Sequence, residues 1–591
     1  MRTGLVAATA GGRAAAEELV RAWPGAAEIV EGPVAAALRT AFGTCDQVVA
    51  FLAVGAAVRV LAPLLAAPGS HKAADPPVVC VDEARRHAIA LLGTHHGAGG
   101  LAEAVTAVLG GTPVITTASD STRTAALDTF GAHLGLRVAD PAPLAAVGTA
   151  VMSGAPVRLD NPERWPLPPL PPNVTPDAHA PEAVISVGRT PSASAESEVS
   201  RETTLAYDAP DLVVGVGSAR GVATSEVREV IDGVLRASGR DPSALRAVAT
   251  IDLKADETGI VEAARELGLP LRTYPAADLA AEDVPTPSAT VQAAVGTPSV
   301  AEAAALRAAR DAGRSAELLV TKHTSAHATA ALARLRPRGR LAVIGLGPGD
   351  RDLLTPAART ELARSSVVVG LDQYLDQVRD LLRAGTSVRA SGLGQEEERA
   401  RTAVRLAAEG HAVALIGSGD AGVYAMAAPA LELAGRDIDV VGVPGITAAT
   451  AAAHLLGAPL GHDHALISLS DLHTPWAAIE RRIRAVAEAD LVVCLYNPRS
   501  RGRDWQLAHA MARLAAHRPP DTPVGYVREA TRPGQRVTLT TLGAFDPSEV
   551  DMRTVVIVGS SQSRVLAGRF VTPRGYRWSP HTAPGADGPR G

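Results

Sequence analysis

The stretch "LAVIGLGPGDRDLLTPAAR" (residues 341–359) has the pattern of an apolar strand, a glycine-containing turn and the start of a helix. In an α/β fold such a turn lies at the carboxyl end of a parallel strand, where ligands bind. The turn departs from the Gly-x-Gly-x-x-Gly pattern of dinucleotide-binding folds, because Pro348 removes an N–H donor and Asp350 adds negative charge. Thr355 and Pro356 predict the N-cap and first residue of the next helix. The sequence therefore predicts a parallel strand whose turn is a poor pyrophosphate site.

The composition of the 591-residue chain predicts a multidomain globular protein that acts on a small molecule. Its net charge is −5, and its 57 basic and 62 acidic residues are interspersed, so we expect no nucleic-acid partner. Cys45, Cys80 and Cys494 are far apart, which argues against a structural metal or a disulfide framework, so no metal is predicted. This cysteine usage predicts a reducing, cytoplasmic setting. We expect neither export nor a membrane span, because no signal-peptide pattern and no run of about 18 apolar residues occurs.

The order of apolar runs and helix-period segments predicts an α/β fold with several domains. Residues 1–135 and 211–338 each alternate strand-like and helix-like segments, and so does a third unit, residues 339–572. Residues 136–210 are rich in proline and serine, which predicts a middle domain or linker without long helices. Residues 573–591 are rich in proline and glycine and are predicted to form a flexible tail.

Four further turns follow apolar runs in the third unit: "GSGDAGVY" (417–424), "GVPGITAA" (442–449), "LYNPRS" (495–500) and "REATRPGQRV" (528–537). Together with the first turn, in this order, they resemble the tetrapyrrole methyltransferase family, whose members use S-adenosylmethionine. Longer segments such as "VPGITAATAAAHLLGAPLGHDHALISLSDLHTPW" resemble its precorrin-3B C(17)-methyltransferase branch, which also contracts the ring. The resemblance implies two αβα subdomains, with the cofactor and an acidic macrocycle in the cleft between them, and a homodimer.

The resemblance also implies which residues line the cofactor pocket. A sulfonium cofactor carries no phosphate, so it suits glycine turns that let the backbone approach, together with acidic or carbonyl acceptors. The alternative for each glycine is a tight turn without a ligand. The implied cofactor-binding residues are Pro348, Ser418, Gly419, Asp420, Val423, Thr447, Ala448, Asn497 and Ala530.

Acids and arginines are the candidates for contact with the substrate in this unit. Asp372 follows the second strand, near the position of an acidic residue that serves the substrate in relatives, and it is a candidate catalytic residue together with Asp350. Asp350 either caps the first turn or faces the macrocycle. Arginine forks match the carboxylate arms of a tetrapyrrole. The candidates for substrate binding are Arg351, Arg399 and Arg499.

The N-terminal half resembles cobalt-precorrin-5A hydrolase of cobalamin biosynthesis, through segments such as "FLAVGAAVRVLAPLL", "VVGVGSARGVATSEV" and "VGTPSVAEAAALRAA". These α/β domains of the cobalamin pathway cover nearly residues 1–335. The resemblance implies opening of a δ-lactone with release of acetaldehyde. Water activation and carbonyl polarisation would fall to His95, Lys72 and Lys254, the titratable catalytic candidates.

Departures from that family leave the activity of this half open. Gly100 stands where the family has an asparagine, and Ser218 and Ala219 replace a cysteine and a basic residue. The half is therefore either a hydrolase or a non-catalytic module that binds and hands over a corrinoid. For the whole chain, the competing classes are a corrinoid-binding protein whose turns are only structural and a nicotinamide dinucleotide oxidoreductase.

Overall fold

The computed structural model describes residues 2–66, 75–93, 97–116, 122–188 and 203–576. Six β-sheets occur within these ranges, and the predicted α/β fold with several domains is confirmed. None of the helices in these ranges combines the length and hydropathy that a bilayer span requires.

The first sheet has six strands and is parallel except where two neighbours, Val78–Val81 and His87–Leu92, pair antiparallel. Leu5 and Val6 enter separate buried clusters, so both faces of the sheet are covered. In spatial order the strands are Ala27–Ile29, Thr3–Ala7, Gln47–Phe51, Val78–Val81, His87–Leu92 and Thr112–Val114. The helices are Ala10–Ala22, Val34–Thr44, Val54–Leu65 and Ala98–Leu109.

The proline-rich segment contains a second sheet with its own buried cluster. Tyr207 is buried in this cluster, and its hydroxyl donates to the Leu127 carbonyl at 2.5 Å. Trp165 and Pro168 are buried as well, so prolines contribute to a packed unit. In spatial order the strands are Arg137–Val138, Thr204–Asp208, Ala183–Val187, Val157–Asp160 and Val174–Thr175. The helices are the 3₁₀ turn Ala132–Leu134 and the α-helix Leu144–Ser153.

The third sheet is mixed, because Ala328–Arg336 runs antiparallel to both of its neighbours. Gly215 lets the alanine-rich helix Val300–Ala312 approach the sheet, since a Cβ atom there would lie 1.9 Å from the Ala301 carbonyl oxygen. In spatial order the strands are Leu271–Tyr274, Leu245–Ile251, Leu212–Ser218, Ala328–Arg336 and Ser315–Thr324. The helices are Thr224–Ser238, Pro242–Ala244, Asp252–Lys254, Thr258–Glu266, Ala276–Ala280, Ala289–Val295 and Val300–Ala312.

The fourth sheet contains the strand of the opening stretch and is parallel throughout. Leu341 and Ile344 are buried in clusters on opposite faces, which explains the continuous apolar runs of its strands. As predicted, Thr355 caps the next helix, accepting from the Ala358 amide, and Pro356 is its first residue. In spatial order the strands are Ser387–Ser391, Val367–Leu371, Ala412–Gly417, Gly339–Gly345 and Ile438–Val443. The helices are Arg351–Leu353, Pro356–Arg364, Asp372–Leu375, Arg379–Leu381, Glu396–Ala408 and Ala427–Leu433.

The last part of the described chain forms a mixed five-stranded sheet and a small three-stranded sheet. We call residues 339–443 the first lobe and residues 448–572 the second lobe. In spatial order the larger sheet has strands His464–Ser468, Val492–Tyr496, Thr554–Val558, Pro523–Arg528 and Arg536–Thr541. The smaller sheet has strands Gly457–Ala458, Arg569–Val571 and Arg564–Leu566. The helices are Ala448–Leu456, Trp476–Glu488, Gln506–Ala515 and Pro547–Glu549.

The proline-rich segment contacts the first lobe at the edge where strands of the fourth sheet begin. A Cβ atom on Gly385 would lie 1.7 Å from the Leu170 carbonyl oxygen, and one on Gly410 would lie 2.8 Å from Arg164 Cβ. Both glycines have positive φ, 85° and 99°. The contact therefore leaves the opposite, carboxyl edge of the sheet to the second lobe.

Candidate active site

The predicted cofactor residues lie around the carboxyl edge of the fourth sheet, on turns that follow neighbouring strands of both lobes. Ala412–Gly417, Gly339–Gly345 and Ile438–Val443 are adjacent and parallel, so the turns after them lie side by side. In the first lobe these turns hold Pro348, Ser418, Gly419, Asp420 and Val423. Thr447 and Ala448 begin the connecting helix, and Asn497 and Ala530 follow strands of the second lobe.

Glycines let the three turns of the first lobe touch through their backbones. Gly347 and Gly419 exchange two N–H···O hydrogen bonds of 3.0 and 2.8 Å. A Cβ atom on Gly345 would lie 2.7 Å from the Gly419 carbonyl oxygen, and one on Gly445 would lie 2.1 Å from it. Glycine at 345 and 445 is therefore required for the three turns to pack against one another.

The Asp420 carboxylate joins two of these turns. Oδ1 accepts from the Gly422 amide at 2.8 Å, and Oδ2 accepts from the Gly445 amide at 3.0 Å. Val423 closes the same turn, because its amide donates to the Asp420 carbonyl at 3.3 Å. Since both carboxylate oxygens are used by the backbone, Asp420 fixes the shape of the pocket.

Several residues of the site turns hold left-handed backbone. The φ angles are 52° at Tyr424, 49° at Asn497, 49° at Glu529 and 63° at Thr531. Such angles are uncommon outside glycine and occur preferentially at binding sites. Asn497 is fixed further by its Nδ2, which donates to Ser468 Oγ at 3.0 Å. The turns of the second lobe are therefore held in one conformation by contacts outside themselves.

Two tyrosines connect the lobes beside the glycine turns. The Tyr496 hydroxyl lies 2.5 Å from Thr447 Oγ1 and accepts from the Ala449 amide at 2.9 Å. Its ring lies 5.3 Å from the ring of Tyr424, whose hydroxyl donates to the Leu466 carbonyl at 2.7 Å. Burial raises the pKa of both phenols above their usual value, so both stay neutral at physiological pH.

Arg532 connects the second lobe to two turns of the first. Its Nε donates to the Pro348 carbonyl at 2.6 Å, and its Nη2 donates to Ser418 Oγ at 2.7 Å. Gly349, with φ of 152°, makes room for this side chain, since a Cβ atom there would lie 2.3 Å from Arg532 Cγ. Two predicted cofactor residues are thus held by one guanidinium.

The two predicted acids of this unit lie at different points of the rim. Asp350 caps a 3₁₀ turn by accepting from the Asp352 amide at 3.0 Å, and its own amide donates to Thr531 Oγ1 at 3.1 Å. Asp372 directly follows the strand Val367–Leu371 and is exposed. Of the two alternatives for Asp350, the capping role is present in the structure.

Two of the predicted substrate arginines lie at the surface in light internal contacts. Arg351 forms an ion pair of 2.7 Å with Asp380. Arg499 Nη1 donates to the Ser548 carbonyl at 3.1 Å. An ion pair as exposed as that of Arg351 contributes little to stability, and Arg499 has only a carbonyl partner, so both guanidiniums can exchange these partners for a ligand carboxylate.

Arg399 has a different environment from the one predicted. It is buried, its Nε donates to Ser391 Oγ at 2.7 Å, and its Nη2 donates to the Gly392 carbonyl at 2.8 Å. Its third nitrogen lies 3.7 Å from Met426 Sδ. These contacts turn the side chain of this substrate-binding candidate inward, where it fixes the turn at residues 391–392.

Of the candidates in the N-terminal half, Lys254 is described, whereas His95 and Lys72 lie outside the described residues. Lys254 Nζ forms an ion pair of 3.1 Å with Glu257 Oε2, and the two side chains are 11% and 5% exposed. Glu257 Oε1 also accepts from the Gly221 amide at 2.7 Å. Burial opposes ionisation, but the Lys254 and Gly221 hydrogen bonds outweigh it and lower the pKa of Glu257. Lys254 is therefore engaged in a structural pair.

Two other features lie apart from these turns. A groove of about 700 Å³ between the proline-rich segment and the first lobe is lined mainly by apolar residues such as Leu167 and Pro169, and none of the predicted site residues lines it. Within the described ranges, no three His, Cys, Asp or Glu side chains are grouped so as to hold a metal ion. The carboxyl-edge turns remain the candidate site.

The sequence-based assignment missed the residues that connect the lobes. Tyr496 stands at the end of a strand inside "LYNPRS", and Arg532 stands inside "REATRPGQRV", so both lie in recognised segments. The position of Tyr496 at a strand end was an available signal. Arg532 is one of the arginines in or beside the recognised turns, which indicated a contact with substrate carboxylates and not a connection between the lobes.

Comparisons with known proteins agree with these observations. A family model described as tetrapyrrole (corrin/porphyrin) methylases matches residues 340–546. Models described as cobalamin synthesis G C-terminus and cobalamin synthesis G N-terminal match residues 212–333 and 36–120. The resemblances of both halves are therefore confirmed.

Three curated relatives are similar to the methyltransferase-like part. A Salmonella typhimurium protein named "Probable cobalt-factor III C(17)-methyltransferase" is 49% identical over 239 residues, which are 40% of this chain and 99% of the relative. The precorrin-3B C(17)-methyltransferase of a Sinorhizobium species is 40% identical over 234 residues, 39% of this chain and 91% of the relative. The cobalamin biosynthesis protein CobIJ of Mycobacterium tuberculosis is 45% identical over 248 residues, 40% of this chain. The chain spans only 48% of that relative's length.

Proposed function

The chain belongs to the tetrapyrrole methylase family, and from this we propose that residues 339–572 methylate carbon 17 of a corrin precursor in cobalamin biosynthesis. The methyl donor is S-adenosylmethionine. The acceptor is precorrin-3B or its cobalt form, and the ring contracts in the reaction. The observation that carries this proposal is the similarity to a named C(17)-methyltransferase over 99% of that relative's length, at 49% identity.

The residues at the carboxyl edge fit a sulfonium cofactor. At Gly345 and Gly445 a Cβ atom would overlap the backbone of the neighbouring turns, so only glycine lets these turns pack into one edge of main chain, which suits an adenosine or an amino-acid group bound by backbone contacts. It does not suit a pyrophosphate, because Pro348 has no N–H and the Asp350 amide already donates to Thr531. The fit therefore supports the methyl donor over a nicotinamide dinucleotide.

The protein's own contribution is mainly orientation. S-adenosylmethionine, when bound, supplies an electrophilic methyl group on a sulfonium. The turns held by Asp420 and Arg532 define where the donor lies, and orienting two bound partners lowers the barrier by several kcal/mol. Tyr496 holds Thr447 at the start of the connecting helix and thereby the far side of the same pocket.

The carboxylate arms of the macrocycle are the substrate groups that two partly exposed arginines recognise. Arg351 and Arg499 lie on turns at the same edge and offer forked donors. Asp372 is the exposed acid next to the first lobe's second strand, and we assign to it a proton-handling role beside the substrate. Asp350 holds the first turn in place.

For the N-terminal half, two functions are proposed. The matches of this half to the two cobalamin synthesis G family models support hydrolysis of the cobalt-precorrin-5A lactone with loss of acetaldehyde. The ion pair of Lys254 with Glu257 instead supports a non-catalytic module that binds and hands over a corrinoid, since the amine is already engaged. Incubating the whole chain with the lactone separates them, because only a hydrolase releases acetaldehyde.

The remaining proposals concern the oligomeric state, the location and the partners of the protein. A homodimer formed through the methyltransferase domain follows from the family, a cytoplasmic location follows from the cysteine usage, and no nucleic acid is expected as a partner. Cross-linking at micromolar concentration tests the dimer.

Mass spectrometry tests the main proposal. The whole chain is incubated with precorrin-3B or its cobalt form and with S-adenosylmethionine that carries a ¹³C methyl group. A product heavier by one labelled methyl supports C-methylation, and NMR of that product assigns the carbon. A macrocycle of unchanged mass, while the protein binds S-adenosylhomocysteine, contradicts the substrate assignment. Protection of the protein by NAD(P) alone contradicts the whole proposal.

A further inference from the structure

Arg532 is the side chain through which the second lobe reaches two cofactor-lining turns of the first. Its two hydrogen bonds go to Pro348, after the strand Gly339–Gly345, and to Ser418, after the strand Ala412–Gly417. Those strands are adjacent, and their turns already touch through the backbone pair formed by Gly347 and Gly419. One guanidinium therefore fixes the distance between these two turns, and it also fixes their distance from the second lobe.

The backbone on both sides is adapted to this contact. Gly349 has φ of 152° and no side chain, and a Cβ atom there would lie 2.3 Å from Arg532 Cγ and 2.7 Å from its Nε. On the other side Thr531 has φ of 63°, and its amide donates to the Gln535 side chain at 2.7 Å. Left-handed backbone at Thr531, just before Arg532, and a glycine at 349, opposite it, are the arrangement expected for a fixed contact.

The contact also differs from those of two arginines nearby in this lobe. Arg528 and Arg553 both form ion pairs with Glu529. Among the described residues no carboxylate lies within ion-pair distance of Arg532, so its partners are a carbonyl and a hydroxyl. Its charge is therefore not neutralised by a protein acid at the mouth of the pocket. The fork geometry, with two donors aimed at two turns, is the property that a lysine cannot reproduce.

We propose that Arg532 is a positioning residue for the methyl donor, acting by locking Pro348 and Ser418 to the second lobe. The proposal rests on the proposed function of the carboxyl-edge turns as the donor site. It predicts that donor affinity depends on the double contact and that the positive charge alone does not suffice.

Calorimetric binding of S-adenosylhomocysteine to the whole chain tests this. Arg532→Ala is expected to raise the Kd about tenfold, the size of one lost hydrogen bond to a charged group, while the Tm of the unliganded protein changes little. Arg532→Lys keeps the charge but offers one point donor, and we expect an intermediate Kd. Arg536→Ala, an exposed arginine at the start of the next strand, is the matched control and should bind as the unmodified chain does.

A second variant approaches the same contact from the first lobe. Ser418→Ala removes the acceptor of Arg532 Nη2 and should weaken binding in the unmodified background, but should add little when Arg532 is already alanine. Equal binding by Arg532→Ala and the unmodified chain overturns the proposal, and so does a lower Tm with an unchanged Kd. If Arg532→Ala does not fold, Arg532→Lys and Ser418→Ala decide. Failure of the unmodified chain to bind S-adenosylhomocysteine instead contradicts the proposed function itself.

Discussion

The Tyr496 hydroxyl lies 2.5 Å from Thr447 Oγ1 and accepts a 2.9 Å hydrogen bond from the Ala449 amide. Thr447 is the N-cap of the helix Ala448–Leu456, yet its own side chain makes no capping bond. The hydroxyl of Tyr496, the last residue of the strand Val492–Tyr496, therefore caps this helix. The cap fixes the turn between the lobes, next to Gly419, and so connects the packing of the second lobe to the shape of the pocket.

Tyr496→Phe is expected to weaken S-adenosylhomocysteine binding about fivefold and to lower the Tm by a few degrees, because the Ala449 amide and the Thr447 hydroxyl lose their partner. Calorimetry and thermal unfolding measure the two effects. Tyr526→Phe is the control, since Tyr526 bonds to the Glu549 carboxylate in the same lobe and should change stability without changing affinity. Identical affinities for the two variants contradict the role given to Tyr496.

Asp420 should be needed for its two oxygens and not for its charge. Asp420→Ala leaves the Gly422 and Gly445 amides without acceptors. We therefore expect the Kd for S-adenosylhomocysteine to rise by about tenfold or more. Asp420→Asn keeps one oxygen acceptor and should lose less. Asp437→Asn, at an exposed acid before the next strand, is the control. A loss as large for asparagine as for alanine contradicts this expected order.

Much of the first lobe could be predicted from its sequence, because the determinants are local. The apolar run before Gly345 became a strand with neighbours on both sides, and the Thr355-Pro356 pair became an N-cap and first helical residue. Turn positions in the second lobe were likewise marked by small residues after apolar runs. Periodicity and capping residues act over a few positions, so they can be read without knowing the tertiary contacts.

The roles of the arginines could not be predicted in this way. Arg399 and Arg532 both stand beside recognised turns, but the first is buried against Ser391 and Gly392, and the second reaches Pro348 across 184 residues of chain. Which arginine turns inward depends on contacts between distant segments, and residue type carries no information about them. The packing of the proline-rich segment against the first lobe is non-local in the same sense.

Lys254 is expected to stabilise the N-terminal half rather than to catalyse. Lys254→Met leaves Glu257 without its cation in a nearly buried site, and should lower the free energy of unfolding by about 2 kcal/mol in urea. Lys254→Arg should retain stability, and Glu257→Gln in the Lys254→Met background should recover part of the loss, since the amide oxygen still accepts from Gly221. If Lys254→Arg keeps its stability but loses acetaldehyde release that the unmodified chain shows, Lys254 is catalytic.

His133 should make stability fall in mild acid. Burial, with the neighbouring Arg364 charge, lowers the pKa of this histidine to about 4, and its Nε2 has no hydrogen-bond partner among the described residues. In the unfolded chain the pKa is about 6.5, so between these values the unfolded state binds the proton and the folded state does not. The free energy of unfolding is then unaffected above about pH 7 and falls by about 2 kcal/mol at pH 5.

Urea unfolding at pH 7 and pH 5 measures this difference. His133→Gln does not titrate in this range and should lose less stability on acidification than the unmodified chain, by about the same 2 kcal/mol. His179→Gln, at an exposed position of the proline-rich segment that follows His133 in the chain, should keep the full pH dependence. Because His133 lies beside Arg364 of the first lobe, the effect should be largest in the transition that separates the segment from that lobe. Equal pH dependence in all three proteins would mean that His133 is solvated and that this contact between the units does not persist in solution.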